Sequence, residues 1–396
     1  MSAPAHGPSL LRLVDPDALP EALAAALAGG PAIAPLPPAG LERDQALAML
    51  RPEEPVEAGA AVVVSTSGST GRPKGVLLSA EAIRAGSAAT HERLGGPGDW
   101  VLCLPAHYVA GLMVLARAQG AGTAAYRARP DMGDLMAVAD RLRGRRYLSI
   151  VPTQLARALG QPELAEILPD FDAVLVGGGP LAAPLAAAAA RAGVQVVTSY
   201  GMSETCGGCV YDGVPLAGVD VALDAARAGR ISIGGPVLFS GYRLRPDLTA
   251  AAVTNGRLVT ADRGRWDLHG QERRLTVLGR VDDVVISGGL NVDLAEVERA
   301  VRSWPELAGA EVAVVGVPDP EWGTAVAAVV EGPARAAAEL TRLRAYLRDR
   351  LPTYAAPRTL VGRTVLPRTS SGKIDRRQIV ADLGPPDSTR TPGAPA

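Results

Sequence analysis

Phenylalanine is almost missing from this chain, with 2 in 396 residues, and the space goes to alanine, arginine, glycine and proline. That bias reflects base composition and carries little functional meaning. An excess of one charge is also missing: 40 basic residues stand against 41 acidic ones, which points away from nucleic acid and from anionic membranes as partners. No 18-residue apolar run reads as a membrane span. Residues 1–9 lack the basic segment and apolar core of a secretory leader, so a cytoplasmic location is expected. Cys103, Cys206 and Cys209 are too few for a secreted disulfide framework. Zinc needs four ligands, and Cys206-Gly207-Gly208-Cys209 is joined by no second cysteine pair and no histidine cluster, the only histidines being His6, His91, His107 and His269. That cysteine pair also lacks the setting of a redox motif, and we read it as packing.

What is present is apolar content of 47% over 396 residues, enough for a large core and more than one domain. Residues 20–28 read as a helix closed by Gly29-Gly30, and the proline-rich stretch 31–55 as a surface wrap. Beyond it, strands at 60–64, 99–104, 148–151, 172–176 and 194–198 alternate with helices at 79–94, from Thr153, and at 181–192. This alternation predicts a parallel, doubly wound α/β sheet. Residues 219–278 change to short strands with glycine turns, an appended β-subdomain. Helices at 293–304 and 335–351 and strands at 310–317 and 324–330 predict a small C-terminal α/β domain.

The densest signal is Ser65-Thr66-Ser67-Gly68-Ser69-Thr70-Gly71-Arg72-Pro73-Lys74-Gly75, directly after an apolar strand. A loop of small residues can turn backbone N–H groups onto a polyphosphate, with hydroxyls and one lysine adding donors. It is not a Walker A loop, because Pro73 precedes the lysine and Gly75 follows it. Further candidates stand near expected strand ends or in polar loops. They are Pro105-Ala106-His107-Tyr108-Val109-Ala110-Gly111-Leu112, Gly177-Gly178-Gly179-Pro180, Ser199-Tyr200-Gly201-Met202-Ser203-Glu204-Thr205, Thr260-Ala261-Asp262, Gly279-Arg280-Val281-Asp282-Asp283, Ser287-Gly288-Gly289 and Pro367-Arg368-Thr369-Ser370-Ser371-Gly372-Lys373. Each alone has a plain reading: a structural histidine, a tight turn, a solvated carboxylate or lysine. A tyrosine can also stack on a purine, a carboxylate can hold Mg²⁺ on a triphosphate, and an aspartate can accept from a ribose diol.

In this order the motifs closely resemble those of the adenylate-forming acyl-CoA synthetase superfamily, over roughly residues 60–383. The resemblance implies ATP, Mg²⁺ and CoA together with a small carboxylic acid, and an acyl-adenylate intermediate. It assigns phosphate binding to Ser67, Gly68, Ser69, Thr70, Gly71, Lys74 and Ser203, and the metal to Glu204. Adenine and ribose fall to Gly178, Gly179, Tyr200, Gly201, Asp262 and Arg280. His107, Tyr108, Gly111, Thr153, Gln154, Cys206 and Gly207 would border the acyl pocket. Ser287, Gly288 and Gly289 would line the CoA tunnel, and Asp282 would be the hinge. Lys373, with Lys74 and Glu204, would be catalytic, carried into the active site by its loop. The family usually has threonine at Ser203, glycine at Ala261 and often proline at Leu294.

The implied organisation is an adenylation domain over 1–280, a hinge at 281–282, a mobile lid over 283–383 and a disordered tail over 384–396. The large domain would be shortened at its N-terminus, since relatives carry a longer stretch before the phosphate loop. Shortened relatives, together with Val151-Pro152-Thr153-Gln154-Leu155 and Tyr200 to Gly208, resemble the o-succinylbenzoate–CoA ligases of menaquinone synthesis. Thr153-Gln154 would hydrogen-bond that substrate, or else serve as a helix start with a solvated Gln154. A ligase for another aryl or short acid, a catalytically silent nucleotide-binding relative, and a homodimer all stay open.

Overall fold

The computed structural model describes residues 10–67, 73–307, 309–333, 337–369 and 372–384. The chain divides into two compact units. One comprises Met1–Asp224, Ile231–Thr260 and Trp266–Thr276, and the other Ala225–Arg230, Ala261–Arg265 and Val277–Ala396.

In the first unit, Val62, Val63 and Val64 are fully buried at the centre of a sheet. Side chains alternate between the faces of a strand. Val62 and Val64 accordingly pack with Leu78 and Ile83, whereas Val63 packs with Leu36, Leu50 and Leu77. Among the described residues this sheet runs Arg12–Val14, Ile33–Pro35, Val62–Ser67, Pro73–Leu78, Gly241–Tyr242. The proline-rich stretch is therefore no surface wrap: Ile33–Pro35 pairs in parallel with strands on both sides, and Leu41–Leu50 is a helix. Prolines at the strand's end hid it, because a three-residue strand shows no alternation.

A second sheet runs, among the described residues, Val214–Pro215, Gly207–Tyr211, Val196–Met202, Ala173–Val176, Arg146–Ile150, Asp99–Leu102, Tyr126–Arg127. Val196–Met202 through Tyr126–Arg127 are parallel. Trp100, Leu102 and Leu175 face the helices Ala80–Leu94 and Val109–Gly120, while Val101, Ile150 and Val174 face Leu135–Ala139, Pro152–Leu159 and Ala183–Arg191. Helices thus cover both faces, as a doubly wound sheet requires. Ser79 caps its helix by accepting from Ala82 N–H at 3.1 Å, and Gly95 ends it at φ +90°. The strand expected to stop at 198 continues to Met202, because Gly207–Tyr211 folds back and pairs with it. The β-subdomain also departs from short strands: Arg257–His269 runs for 13 residues. Among the described residues no helix is long and apolar enough to cross a membrane.

The second unit has a hairpin, Val284–Ser287 with Leu290–Asp293, and a sheet of Val312–Asp319, Gly323–Glu331 and Thr359–Arg363. Leu294–Arg302 and Ala337–Leu347 cover one sheet face, and Arg376–Leu383 the other. Residues 385–396 of the expected tail lie outside the described residues.

Candidate active site

Lys74 is placed by a strand, not by a loop. It is the second residue of Pro73–Leu78 and sits opposite Thr66 in the antiparallel ladder. Of the stretch expected to meet phosphate, residues 65–67 and 73–75 are paired strand residues. Ser67 ends its strand, and Gly68, Ser69, Thr70 and Gly71 lie outside the described residues.

Glu204 stands in the short turn Ser203–Thr205, with Ser203 beside it, both half-buried. The turn is set by Thr205, whose buried Oγ1 accepts from Met202 N–H at 2.9 Å and donates to Gly207 C=O at 2.7 Å. Phe239 N–H donates to the Glu204 carbonyl at 2.9 Å. Cys206 and Gly207 then take φ of +50° and +82° and turn the chain into the next strand. Gly201 is forced by close approach, since a Cβ there would lie 2.0 Å from Gly207 O. The strand carries half-buried Tyr200 just before it.

Tyr242, absent from the motifs read in the sequence, ties these pieces together. Its hydroxyl donates to Glu204 Oε1 at 2.7 Å, and Lys74 Nζ lies 5.0 Å from its ring centroid. Burial, then the Glu204 charge, push its phenol well above the usual range, so it stays a donor. Its strand pairing with Pro73–Leu78 joins residues far apart in the chain, and no local pattern signals that.

Ligands of open α/β sheets gather at the loops that follow the parallel strands. Gly178 turns at φ +78° after Ala173–Val176, with Gly179 exposed behind it. His107 follows Asp99–Leu102. It is buried, its ring lies 4.2 Å from that of Tyr108, and its Nε2 has no partner among the described residues. Burial lowers its pKa, which keeps it neutral near pH 7. Tyr108 donates its hydroxyl to Glu42.

Several acyl-pocket expectations meet a different structural fact. Gly111 serves packing, because a Cβ there would fall 2.4 Å from Pro105 O. Gln154 is neither free for a substrate nor solvated. Its Oε1 accepts from Val151 N–H at 3.1 Å, and its Nε2 donates to Pro130 C=O at 2.9 Å. Thr153 is half-buried in the same helical turn. Cys206 is fully buried, its thiol pushed by burial up to about 12, and Gly207 is buried against Met113. The three cysteines are unpaired in disulfides and buried, as packing residues should be.

In the second unit, Asp262 and Arg280 meet with Oδ1 and Nη1 3.7 Å apart, and Arg280 also donates to Asp282 at 2.9 Å. Asp282 lies in the short turn Val281–Asp283. Gly288 and Gly289 form the two-residue turn of the hairpin, both at positive φ, as a type I′ turn requires. A Cβ on Gly288 would also strike Trp322 at 2.5 Å. Ser287 is buried, and its Oγ has no partner among the described residues. Lys373 is exposed on a narrow turn. Thr369 N–H donates to its carbonyl at 2.8 Å, and Asp375 caps the following helix.

Among the described residues no group of three metal-binding side chains gathers. Mg²⁺ keeps several waters and is held by one or two carboxylates plus substrate phosphates. Glu204, half-buried and with one carboxylate oxygen accepting from Tyr242, fits that role.

Residues 12–257 match the AMP-binding enzyme family and residues 296–373 the AMP-binding enzyme C-terminal domain. A probable 2-succinylbenzoate–CoA ligase of Mycobacterium tuberculosis is 43% identical over 347 residues, covering 86% of this chain and 88% of its own. The o-succinylbenzoate CoA synthetase of Bacillus subtilis, solved with its acyl-adenylate intermediate, is 28% identical at a TM-score of 0.70, over 91% of this chain and 80% of that one. The same synthetase solved with ATP and magnesium is 29% identical at 0.69, over 82% and 72%.

Proposed function

This chain belongs to the AMP-binding enzyme family, and from that membership we propose that it is the AMP-forming 2-succinylbenzoate–CoA ligase of menaquinone synthesis. The observation that carries the reading is the joining of Lys74 and Glu204 through Tyr242, in a chain 43% identical to a probable ligase of that specificity.

A carboxylate is a poor acyl donor, because its leaving group would be an oxide. In the first half-reaction a carboxylate oxygen displaces diphosphate from the α-phosphorus of ATP and forms the mixed anhydride. Two anions must be brought together, and Lys74 and Lys373 offset that charge and align the attack. Glu204 would hold Mg²⁺, which neutralises charge on the departing phosphates. Tyr200 and the Gly178 turn take the adenine, and Asp262 with Arg280 the ribose. In the second half-reaction the CoA thiol attacks the acyl carbon, the thiol proton is lost and AMP leaves. The Gly288-Gly289 turn approaches the thiol's pantetheine arm, and the chain reorients about Asp282 between the two steps.

Within the acyl pocket, His107 is the polar group with a buried nitrogen to offer. Thr153, half-buried at its helix start, is a second candidate donor, whereas the Gln154 amide is engaged by Val151 and Pro130. A pocket with donors for the ring carboxylate should reject an acid that lacks it, since those donors would be left unpaired. The test compares kcat/KM for 2-succinylbenzoate and benzoylpropionate by CoA-thioester mass and diphosphate release. We expect at least ~10²-fold preference for the former. Equal values, or better turnover of benzoate or a fatty acid, would remove this substrate and leave the ligase chemistry.

A further inference from the structure

Tyr242 ends the strand Gly241–Tyr242 and Arg243 opens the turn that follows, and the two residues together lock a position. Arg243 is buried, and its guanidinium donates to the carbonyls of Leu50 at 2.9 Å, Arg51 at 2.9 Å, Glu54 at 2.8 Å and Pro55 at 2.6 Å. It also meets the Glu57 carboxylate at 3.0 Å. The backbone is held as firmly: Arg243 N–H donates to Gly75 C=O at 2.8 Å, and Tyr242 N–H to Thr249 Oγ1 at 2.9 Å. Phe239 meets the Tyr242 ring edge-on at 4.9 Å. With its neighbour anchored, Tyr242 has one place to put its ring and hydroxyl.

We propose that Tyr242 is a positioning residue of the adenylate-forming half-reaction. Its hydroxyl fixes one oxygen of Glu204 and leaves the second directed at the metal, while its ring carries the Lys74 ammonium by cation–π attraction. One side chain thereby sets the spacing between the metal-holding carboxylate and the phosphate-facing cation. The inference rests on the ligase reading above and adds to it a residue that acts through Glu204 and Lys74.

Tyr242→Phe keeps the ring and removes the hydroxyl. Calorimetric titration of ATP at graded Mg²⁺ should show affinity weakened ~10–100-fold with metal, the range for lost outer-shell partners, and little changed in EDTA. Thioester formation from supplied acyl-adenylate should stay near wild type. Tyr242→Leu should in addition weaken ATP binding without metal, because Lys74 loses its ring. Wild-type Mg²⁺ dependence in Tyr242→Phe overturns the proposal, and so does a lowered Tm with unchanged Mg²⁺ dependence, since that is a structural role alone. If wild-type protein and Glu204→Gln bind ATP alike in Mg²⁺, the fault lies with the metal site and the functional reading itself.

Discussion

Lys74 and Lys373 are mounted on different supports. Lys74 is laddered into a sheet whose central valines are fully buried, and the Tyr242 ring lies beneath its ammonium. Lys373 stands exposed just ahead of the helix Arg376–Leu383. There Arg376 pairs with Glu298 at 2.6 Å, and buried Glu298 also accepts from Val314 N–H at 3.0 Å. A cation on a sheet is preorganised and stays at its post. A cation exposed on a short connection can serve one step of a reaction and be absent from the next.

The largest effect expected follows from that contrast. Lys373→Ala should cut acyl-adenylate formation by roughly 10²–10³-fold, the scale for one electrostatic donor, and spare thioester formation from supplied acyl-adenylate. Diphosphate release and thioester assays run separately check this. Equal loss in both half-reactions would erase the distinction between the two lysines.

Next comes Asp282→Pro. Proline holds φ near about −65°, so a backbone that must change dihedrals between steps would be caught in one arrangement. Diphosphate release should continue and CoA-thioester output should fall on the order of 10-fold or more. A normal thioester rate would show that the turn-borne lysine needs no movement at residue 282.

On the sheet-borne side, Gln154→Leu should destabilise the protein by about 1–3 kcal/mol, because Val151 N–H and Pro130 C=O lose their buried partner. Melting temperature should drop while preference for 2-succinylbenzoate over benzoylpropionate holds. A changed preference at unchanged Tm would return Gln154 to the acyl pocket.

The smallest effect concerns His91, buried against the strand Asp99–Leu102 and accepting from Trp100 Nε1–H at 3.3 Å. Burial, then Arg117, lower its pKa below 6.5. The unfolded chain therefore takes the proton first, and the stability this histidine contributes is present above about pH 6.5 and lost as pH falls through and below it. His91→Gln should flatten part of the acid-side decline of Tm between neutral and mildly acidic pH. An identical decline in both proteins would mean that other groups govern it.

Much of this was legible in the chain itself. The valine run before the small-residue loop, the Ser79 cap with Gly95 and the strand–helix alternation are local, and local chemistry predicts them. The candidate residues Glu204, Asp262, Arg280 and Lys373 were legible because short motifs of small and charged residues keep their order along the chain. The strand Ile33–Pro35 was illegible because its partners on either side supply the evidence for it. Gln154 does serve the helix start, accepting from Val151 N–H, but it is buried and not solvated, because its amide also answers to the Pro130 and Cys103 carbonyls, neither visible from the local sequence.

What the sequence by itself determined is the family chemistry: which groups are available to meet phosphate, metal, ribose and thiol. Only the tertiary structure decided which of them are free to act. It spent Gln154 on backbone groups, buried Cys206 and laid Lys74 on a strand. By pairing Gly241–Tyr242 with Pro73–Leu78 it delivered Tyr242 to Glu204. The physical reason is that a motif records residue types in order, whereas a hydrogen bond's partner is chosen by strand pairing and burial across the whole sheet.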